Sequence, residues 1–254
     1  YPISITMSSR RIIIGDVHGQ YDALLQLMEA IAPQENEPVY FLGDLIDRGP
    51  NSAEVVEFVR QHRYRCLLGN HEQMLLEVLG SQKLMGEMLP AWLYSGGHAT
   101  LVSYNHKIPQ DHIDWLKKLP LYLDLGDIWL VHAGVHPDLP LEEQDATHFC
   151  WIRDEFHSMP EPFFSDKLII TGHTITFTFP GVSPGQLVAG AGWLDIDTGA
   201  YHPYSNWLTG LDITNRLVYQ VNTEDKTLRK FDLEDIITSI NPDEVYTKRV
   251  QPTP

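Results

Sequence analysis

Hydrophobic positions in this chain fall into two textures. Up to His173, short unbroken apolar runs alternate with stretches of helical periodicity; beyond it, apolar stretches are punctuated by Pro and Gly. Five of the early runs share one ending. Residues 11–14 lead into Gly15-Asp16-Val17-His18-Gly19, 39–42 into Gly43-Asp44, and 66–68 into Gly69-Asn70-His71-Glu72. Residues 128–131 lead into His132-Ala133-Gly134, and 168–171 into Gly172-His173. Continuous β-branched and aromatic runs predict strands buried on both faces. Between the first three, residues 20–32 place Leu24, Leu27, Met28 and Ile31 on one helical stripe, and Pro33 stops it. Asn51 or Ser52 can cap a second helix carrying Val55, Val56 and Val59 to about His62. The order is strand, helix, strand, helix, strand. Polar side chains then sit at the carboxyl ends of the strands, where open α/β sheets place their sites.

Residues 73–120 read as a helical insertion beside those strand ends. Met74, Leu75, Val78 and Leu79 repeat at helical spacing, 92–98 reads as a turn, and Ile113, Leu116 and Leu119 mark a short helix. After His173 the chain alternates weakly over 174–179 and is then broken by Pro180, Gly181, Pro184 and Gly185. The stretches 192–197, 208–221 and 227–233 predict strands joined by turns, forming a second, antiparallel sheet packed on the first. No linker or repeat divides the chain, so one domain is expected over 7–240. Residues 1–6, ahead of Met7, show no signal-peptide pattern and read as carried-over sequence outside the fold. Residues 241–254 read as a loosely held tail.

Composition narrows the partners. The chain has 254 residues, 43% hydrophobic, enough to bury a sizeable core. Its net charge of −16 argues against nucleic acid, whose backbone needs a clustered basic surface. It does not exclude an anionic substrate held by metals or a few arginines. No apolar run approaches the ~18 residues of a membrane span, so no membrane partner is expected. Cys66 and Cys150 lie in apolar contexts and read as buried free thiols, which fits a cytoplasmic setting. A monomer is expected.

The polar residues at the strand ends carry the chemistry. Asp16 and His18 can grip one metal ion from a tight turn, and Asp44 can bridge it to a second. Asn70, His132 and His173 offer that second ion a neutral oxygen and two imidazoles. Mixed nitrogen and oxygen donors without thiolate suit two divalent transition-metal ions, Mn2+ first, with Fe, Zn or Co also compatible. Such a pair clamps a phosphoryl group and acidifies a bridging water for attack on phosphorus. His71 is placed to protonate the leaving oxygen, with Asp47 holding its imidazole charged. Arg48 offers a bidentate grip on free phosphate oxygens. Eight further histidines (His62, His98, His106, His112, His136, His148, His157 and His202) lack such a context and read as surface or structural residues.

The motifs Gly15-Asp16-Val17-His18-Gly19, Gly43-Asp44-Leu45-Ile46-Asp47-Arg48-Gly49 and Gly69-Asn70-His71-Glu72 resemble the three signatures of the phosphoprotein phosphatases. His132-Ala133-Gly134 and Gly172-His173 look like that family's later histidine motifs, in matching order over residues 11–173. Ile196-Asp197-Thr198-Gly199 resembles a later bacterial element. Gly69-Asn70-His71-Glu72-Gln73-Met74 looks particularly like the bacterial and phage serine/threonine phosphatases. The resemblance implies an α/β, calcineurin-like metallophosphoesterase fold of two packed mixed sheets flanked by helices, with a dinuclear site at the strand ends. It implies Asp16, His18 and Asp44 on one metal and Asp44, Asn70, His132 and His173 on the other. It implies His71 as general acid, Asp47 as its partner, and Arg48 on phosphate. A second arginine from a Trp-x-Arg stretch should join it, and Trp151-Ile152-Arg153 supplies Arg153.

The expected activity is hydrolysis of phosphoserine or phosphothreonine in a protein or peptide. The alternative is hydrolysis of dinucleoside polyphosphates such as diadenosine tetraphosphate, a small-nucleotide activity on the same scaffold. The resemblance disfavours that alternative, since such enzymes tend to depart from Asp-Arg-Gly and Gly-Asn-His-Glu, whereas Asp47 and Glu72 are both present. Phosphodiesterase or nuclease action is disfavoured because Gly172-His173-Thr174-Ile175 lacks the second histidine of Gly-His-x-His. A metal-free binding module should show ligand erosion, and none is visible.

Overall fold

The computed structural model describes residues 10–80 and 85–245. The expectations for 1–6 and for the end of the tail lie outside these residues. In chain order the first half contains β1 (Ile12–Ile14), α1 (Tyr21–Ile31), β2 (Val39–Phe41), α2 (Ser52–Gln61) and β3 (Arg65–Cys66). Helices α3 (Asn70–Gly80), α4 (Met85–Trp92), α5 (His98–Ser103) and α6 (Gln110–Leu116) follow. Then come β4 (Tyr122–Asp124), β5 (Ile128–Val131), α7 (Ala146–Trp151), α8 (Asp154–His157) and β6 (Leu168–Thr171). The last part holds β7 (Leu187–Gly190), β8 (Trp193–Asp195), β9 (Trp207–Asp212), β10 (Leu217–Asn222), β11 (Leu228–Asp232), α9 (Leu233–Ile236) and β12 (Ile237–Ser239).

Two six-stranded mixed sheets result, ordered β11-β10-β9-β1-β2-β3 and β12-β7-β8-β6-β5-β4. The apolar runs are unbroken because both faces of each strand are covered. On β1, Ile12 and Ile14 pack with Leu24 and Leu27 of α1, while Ile13 packs with Ile170 and Leu194 of the other sheet. On β5, Leu130 joins that inter-sheet core, and Trp129 and Val131 join Phe149, Phe156 and Trp193 on the far side. A strand between two apolar layers has no polar face to alternate with.

The later strands depart from the expected second antiparallel sheet. The β9–β10–β11 meander extends the first sheet, with β9 antiparallel to β1 (Ile13 opposite Leu211). The second sheet is built instead around the two later apolar runs, with β5, β6 and β8 parallel. Both sheets are therefore mixed, as the family resemblance implied. Gly210 on β9 allows this close packing, because a Cβ there would lie 2.6 Å from Ile31 Cδ1. Residues 174–179 form a short 3-10 turn, Thr176–Thr178, rather than alternating strand. There the Thr176 amide donates to Asp197 O at 2.8 Å.

Four helices, α3–α6, occupy the expected insertion. The expected turn at 92–98 is partly helical: Trp92 closes α4, Leu93–Gly97 winds as one widened turn with Gly96 at φ +114°, and α5 follows. Asn51 precedes α2 without a side-chain cap; the Ser52 hydroxyl instead accepts the Asp47 amide at 3.1 Å. Of the tail, the described residues 241–245 form a short 3-10 turn, Pro242–Glu244, that ends on the buried Val245. No helix among the described residues is long and apolar enough to cross a membrane.

Parallel pairing of β1 with β2, of β2 with β3 and of β5 with β6 brings the five strand ends that carry candidate ligands to one edge of the sandwich. Gly43 is a joint of backbone against backbone there. It holds φ +104°, and a Cβ would meet Gly69 N at 2.7 Å and Gly69 Cα at 2.8 Å. Gly43→Ala should therefore cost at least about 2 kcal/mol. The thermal midpoint should fall by roughly 4–8 °C; an unchanged midpoint would contradict this packing.

Candidate metal centre

The loop after β2 is held in an unfavourable backbone conformation. Asp44, Asp47 and Arg48 have φ values of +49°, +71° and +68°, and His18 and His173 are at +46° and +69°. Left-handed backbone at five non-glycine positions needs support from its surroundings. Glu72 supplies much of it. Its Oε2 accepts the amides of Asp44 (2.9 Å) and Gly69 (3.0 Å), and its Oε1 those of Leu45 (2.8 Å) and Ile46 (3.3 Å). Gly69 leaves room for the approach, since a Cβ there would lie 2.2 Å from Asp44 Oδ1.

The Asp44 carboxylate so placed faces two groups of imidazoles. Its Oδ2 lies 3.6 Å from His18 Nε2 and 3.9 Å from His71 Nε2; its Oδ1 lies 3.4 Å from His132 Nε2. Two candidate metal-holding groups share it: His18–Asp44–His71 and Asp44–His132–His173. Asn70 joins the second, with Oδ1 2.9 Å from both His132 Nε2 and His173 Nδ1. Two rings are oriented as ligands are. His18 Nδ1 donates to Ile46 O at 2.9 Å and His132 Nδ1 to Leu42 O at 2.8 Å, which leaves each Nε2 lone pair facing the centre.

Asp16 stands slightly apart. Its Oδ2 accepts the His173 amide at 3.0 Å, while its buried Oδ1 has no partner, as is also true of His173 Nε2. His71 takes the place in the first group that the resemblance implied for Asp16. Its Nδ1, however, donates to Asp47 Oδ2 at 2.6 Å, which leaves only Nε2 to ligate or to hand over a proton.

Electrostatics favour cations here. Burial, then the Asp197 and Asp44 charges, push the Asp16 carboxyl well above its ordinary range. Burial, then His71, push His18 down to about 3. Burial opposes ionisation of Asp44, but His132, His71 and His18 together hold it well below the usual carboxylate range. Burial likewise raises Asp197 to about 6. Clustered carboxylates and neutral imidazoles, with unpartnered buried oxygen and nitrogen atoms, are the donor set that divalent cations satisfy.

Asp47 is fully buried and anchored on both oxygens. Trp92 Nε1 donates to Oδ2 at 2.8 Å and Thr100 Oγ1 to Oδ1 at 2.6 Å. Arg48 is exposed, with its guanidinium 4.7 Å from the Tyr201 ring centre and its amide donating to Gly96 O at 3.2 Å. Arg153 precedes α8 and donates to His173 O (3.2 Å) and Thr174 Oγ1 (2.9 Å). Every residue singled out from the sequence thus lies at or beside one centre.

Several neighbours were missed. Glu72 and Asp197 stand in motifs that assign them no task. Trp92 and Thr100 carry no local signal that they serve Asp47, which precedes them by 45 and 53 positions. Tyr201, edge-on to His18 at 4.7 Å, sits in a loop no motif marks.

A family model described as calcineurin-like phosphoesterase matches residues 9–222, and the chain belongs to that family. It is therefore a metallophosphoesterase, a hydrolase class that uses divalent metal ions. A curated relative, the symmetrical bis(5'-nucleosyl)-tetraphosphatase of Vibrio cholerae serotype O1, is 32% identical over 164 residues. That match covers 61% of this chain and 57% of the relative, so the chain spans little more than half of it. Among solved structures, a protein provisionally called a diadenosine tetraphosphatase is similar with TM-score 0.57 and 20% identity, covering 89% of this chain and 94% of that one. A protein serine/threonine phosphatase from Saccharomyces cerevisiae is similar with TM-score 0.56 and 17% identity, covering 90% and 81%. The structural likenesses establish the fold alone. The family is thus shown, while the protein-phosphatase branch expected from the motifs is not; the curated relative's activity falls on the alternative.

Glu72→Gln keeps the side chain's size but turns one acceptor into a donor facing backbone amides. It should destabilise the fold by roughly 2–5 kcal/mol, since two buried amides lose their acceptor. Denaturant titration checks this, and a midpoint equal to wild type would contradict the clamp.

Proposed function

We propose that this chain is a metal-dependent phosphohydrolase whose substrate is a dinucleoside polyphosphate of the diadenosine tetraphosphate class. The observation that carries the chemistry is the Asp44 carboxylate, shared by two imidazole groups through its two oxygens. The substrate class rests on the name of the curated relative. Asp16, His18 and Asp44 would hold one ion, and Asp44, Asn70, His132 and His173 the other; Mn2+ suits the set. When bound, the ions draw charge from the phosphoryl oxygens and acidify the attacking water.

The remaining residues bind and move protons. Arg48 and Arg153 grip non-bridging phosphate oxygens. The water oxygen bonds to phosphorus as it gives a proton to solvent, and the bond to the leaving oxygen breaks. His71 protonates that leaving oxygen from Nε2, because its Nδ1 is engaged by Asp47. Burial alone would lower His71, but the Asp44 and Asp47 charges outweigh it and raise its pKa, so the ring is charged more readily. We place the protein in the cytoplasm, consistent with the buried, unpaired thiols of Cys66 and Cys150.

A second reading, a serine/threonine phosphoprotein phosphatase, is favoured by one feature. The anchored Asp47–His71 pair is an elaborate proton donor, and a serine alkoxide needs a proton far more than a nucleoside diphosphate does. Presence of Asp47 and Glu72 supports the same reading through the motif resemblance.

The readings separate in one comparison. With Mn2+, kcat/KM for diadenosine tetraphosphate should exceed that for phosphoserine and phosphothreonine peptides at least tenfold. The reverse order would overturn the nucleotide reading. Asp47→Asn should slow phosphoserine turnover by about 10²–10⁴, the usual contribution of a general acid. It should slow diadenosine tetraphosphate turnover much less. Equal losses on both substrates would contradict the role given to His71.

A further inference from the structure

A shallow cleft of about 390 Å³ opens beside the metal centre, lined by His136, His148, Trp151, Arg153 and Glu155 among others. Its volume lies in the range of small-molecule sites. Trp151 is 39% exposed, unusual for the largest aromatic side chain. Its indole is nonetheless held in place: Nε1 donates to Gln73 Oε1 at 3.0 Å, and the ring lies edge-on to His173, 6.4 Å between centres. His136 and His148, also in the lining, pack perpendicular with ring centres 5.9 Å apart. Arg153 is fixed by its bonds to His173 O and Thr174 Oγ1.

The lining joins three kinds of group. The Arg153 cation, bonded to His173 O, suits a phosphate. The Asp154 and Glu155 carboxylates repel phosphate and suit hydrogen-bond donors. Trp151 presents a partly exposed aromatic plane. A ligand matching all three has an anionic head, a flat ring and hydrogen-bond donors. We infer that this cleft is a nucleoside subsite: Trp151 stacks the base of a nucleotide whose phosphate reaches the metal centre past Arg153. The assignment rests on the nucleotide reading of the centre and gives that reading its specificity element.

The test uses ligands that cannot be cleaved. Titration calorimetry of the Mn2+-loaded protein compares a phosphonate analogue of AMP with methylphosphonate, which carries a similar anionic head and no base. Wild type should bind the adenosine analogue about tenfold or more tighter, within the range of one base–aromatic stack. Trp151→Ala should abolish that gap while leaving methylphosphonate affinity unchanged, and Trp151→Phe should keep most of it. No gap in wild type, or a gap that survives Trp151→Ala, would overturn the subsite. So would an equal, Trp151-dependent gain for a serine-phosphonate peptide over methylphosphonate. Diadenosine tetraphosphate hydrolysis is scored separately. A Trp151-dependent gap without that hydrolysis retains the subsite and refutes the substrate; hydrolysis without the gap does the opposite.

Discussion

Four backbone amides converge on the buried carboxylate of Glu72, and the loop they hold is the one that carries Asp44. Asp44 stands in left-handed backbone that this clamp stabilises, while the amides of Asp47 and Arg48 are held by Ser52, Thr100 and Gly96. With it, Asp44 is presented between the histidines of two sheets. His18 comes from the end of β1, and His132 and His173 from the ends of β5 and β6. The centre is therefore a joint between sheets rather than a pocket within one. Its integrity depends on the inter-sheet core of Ile13, Leu42, Leu130, Ile170 and Leu194 directly beneath it.

A second layer of support comes from the helical insertion. Trp92 at the end of α4 and Thr100 on α5 hold the two oxygens of Asp47, and Gly96 between them accepts the Arg48 amide. Buried in this way, Asp47 can only act through His71. Helices α4 and α5 thus support the strand-end loop without contributing a candidate ligand to it. That division explains how one loop holds, within five positions, a carboxylate facing two imidazole groups, a carboxylate bonded to His71 and an exposed cation.

The parts legible in the sequence were those where chemistry and periodicity coincide. The five strand ends were visible because an apolar run followed by glycine and a ligand-type side chain is local information. The candidate ligands Asp16, His18, Asp44, Asn70, His132 and His173 follow from that pattern, and the fold brings them together. Sheet assignment was not legible: β9–β11 look like a separate antiparallel sheet, and only three-dimensional packing reveals that β9 pairs with β1 through Gly210. Nor were Trp92, Thr100 and Tyr201, whose partners are distant in sequence. Motif likeness points to protein phosphatases and curated similarity to a dinucleoside tetraphosphatase, because the strand-end motifs carry no information about the leaving group. On the proposed reading, specificity comes from surfaces outside them, such as the Trp151 cleft.

The central claim is that Asp44 joins two cation sites at the meeting of the sheets. Diffraction from crystals grown with Mn2+, measured at the manganese absorption edge, tests it most directly. Two anomalous peaks flanking the Asp44 carboxylate are expected, one beside Asp16 and His18 and one beside Asn70, His132 and His173. A single peak, or two peaks that do not share Asp44, would contradict the account.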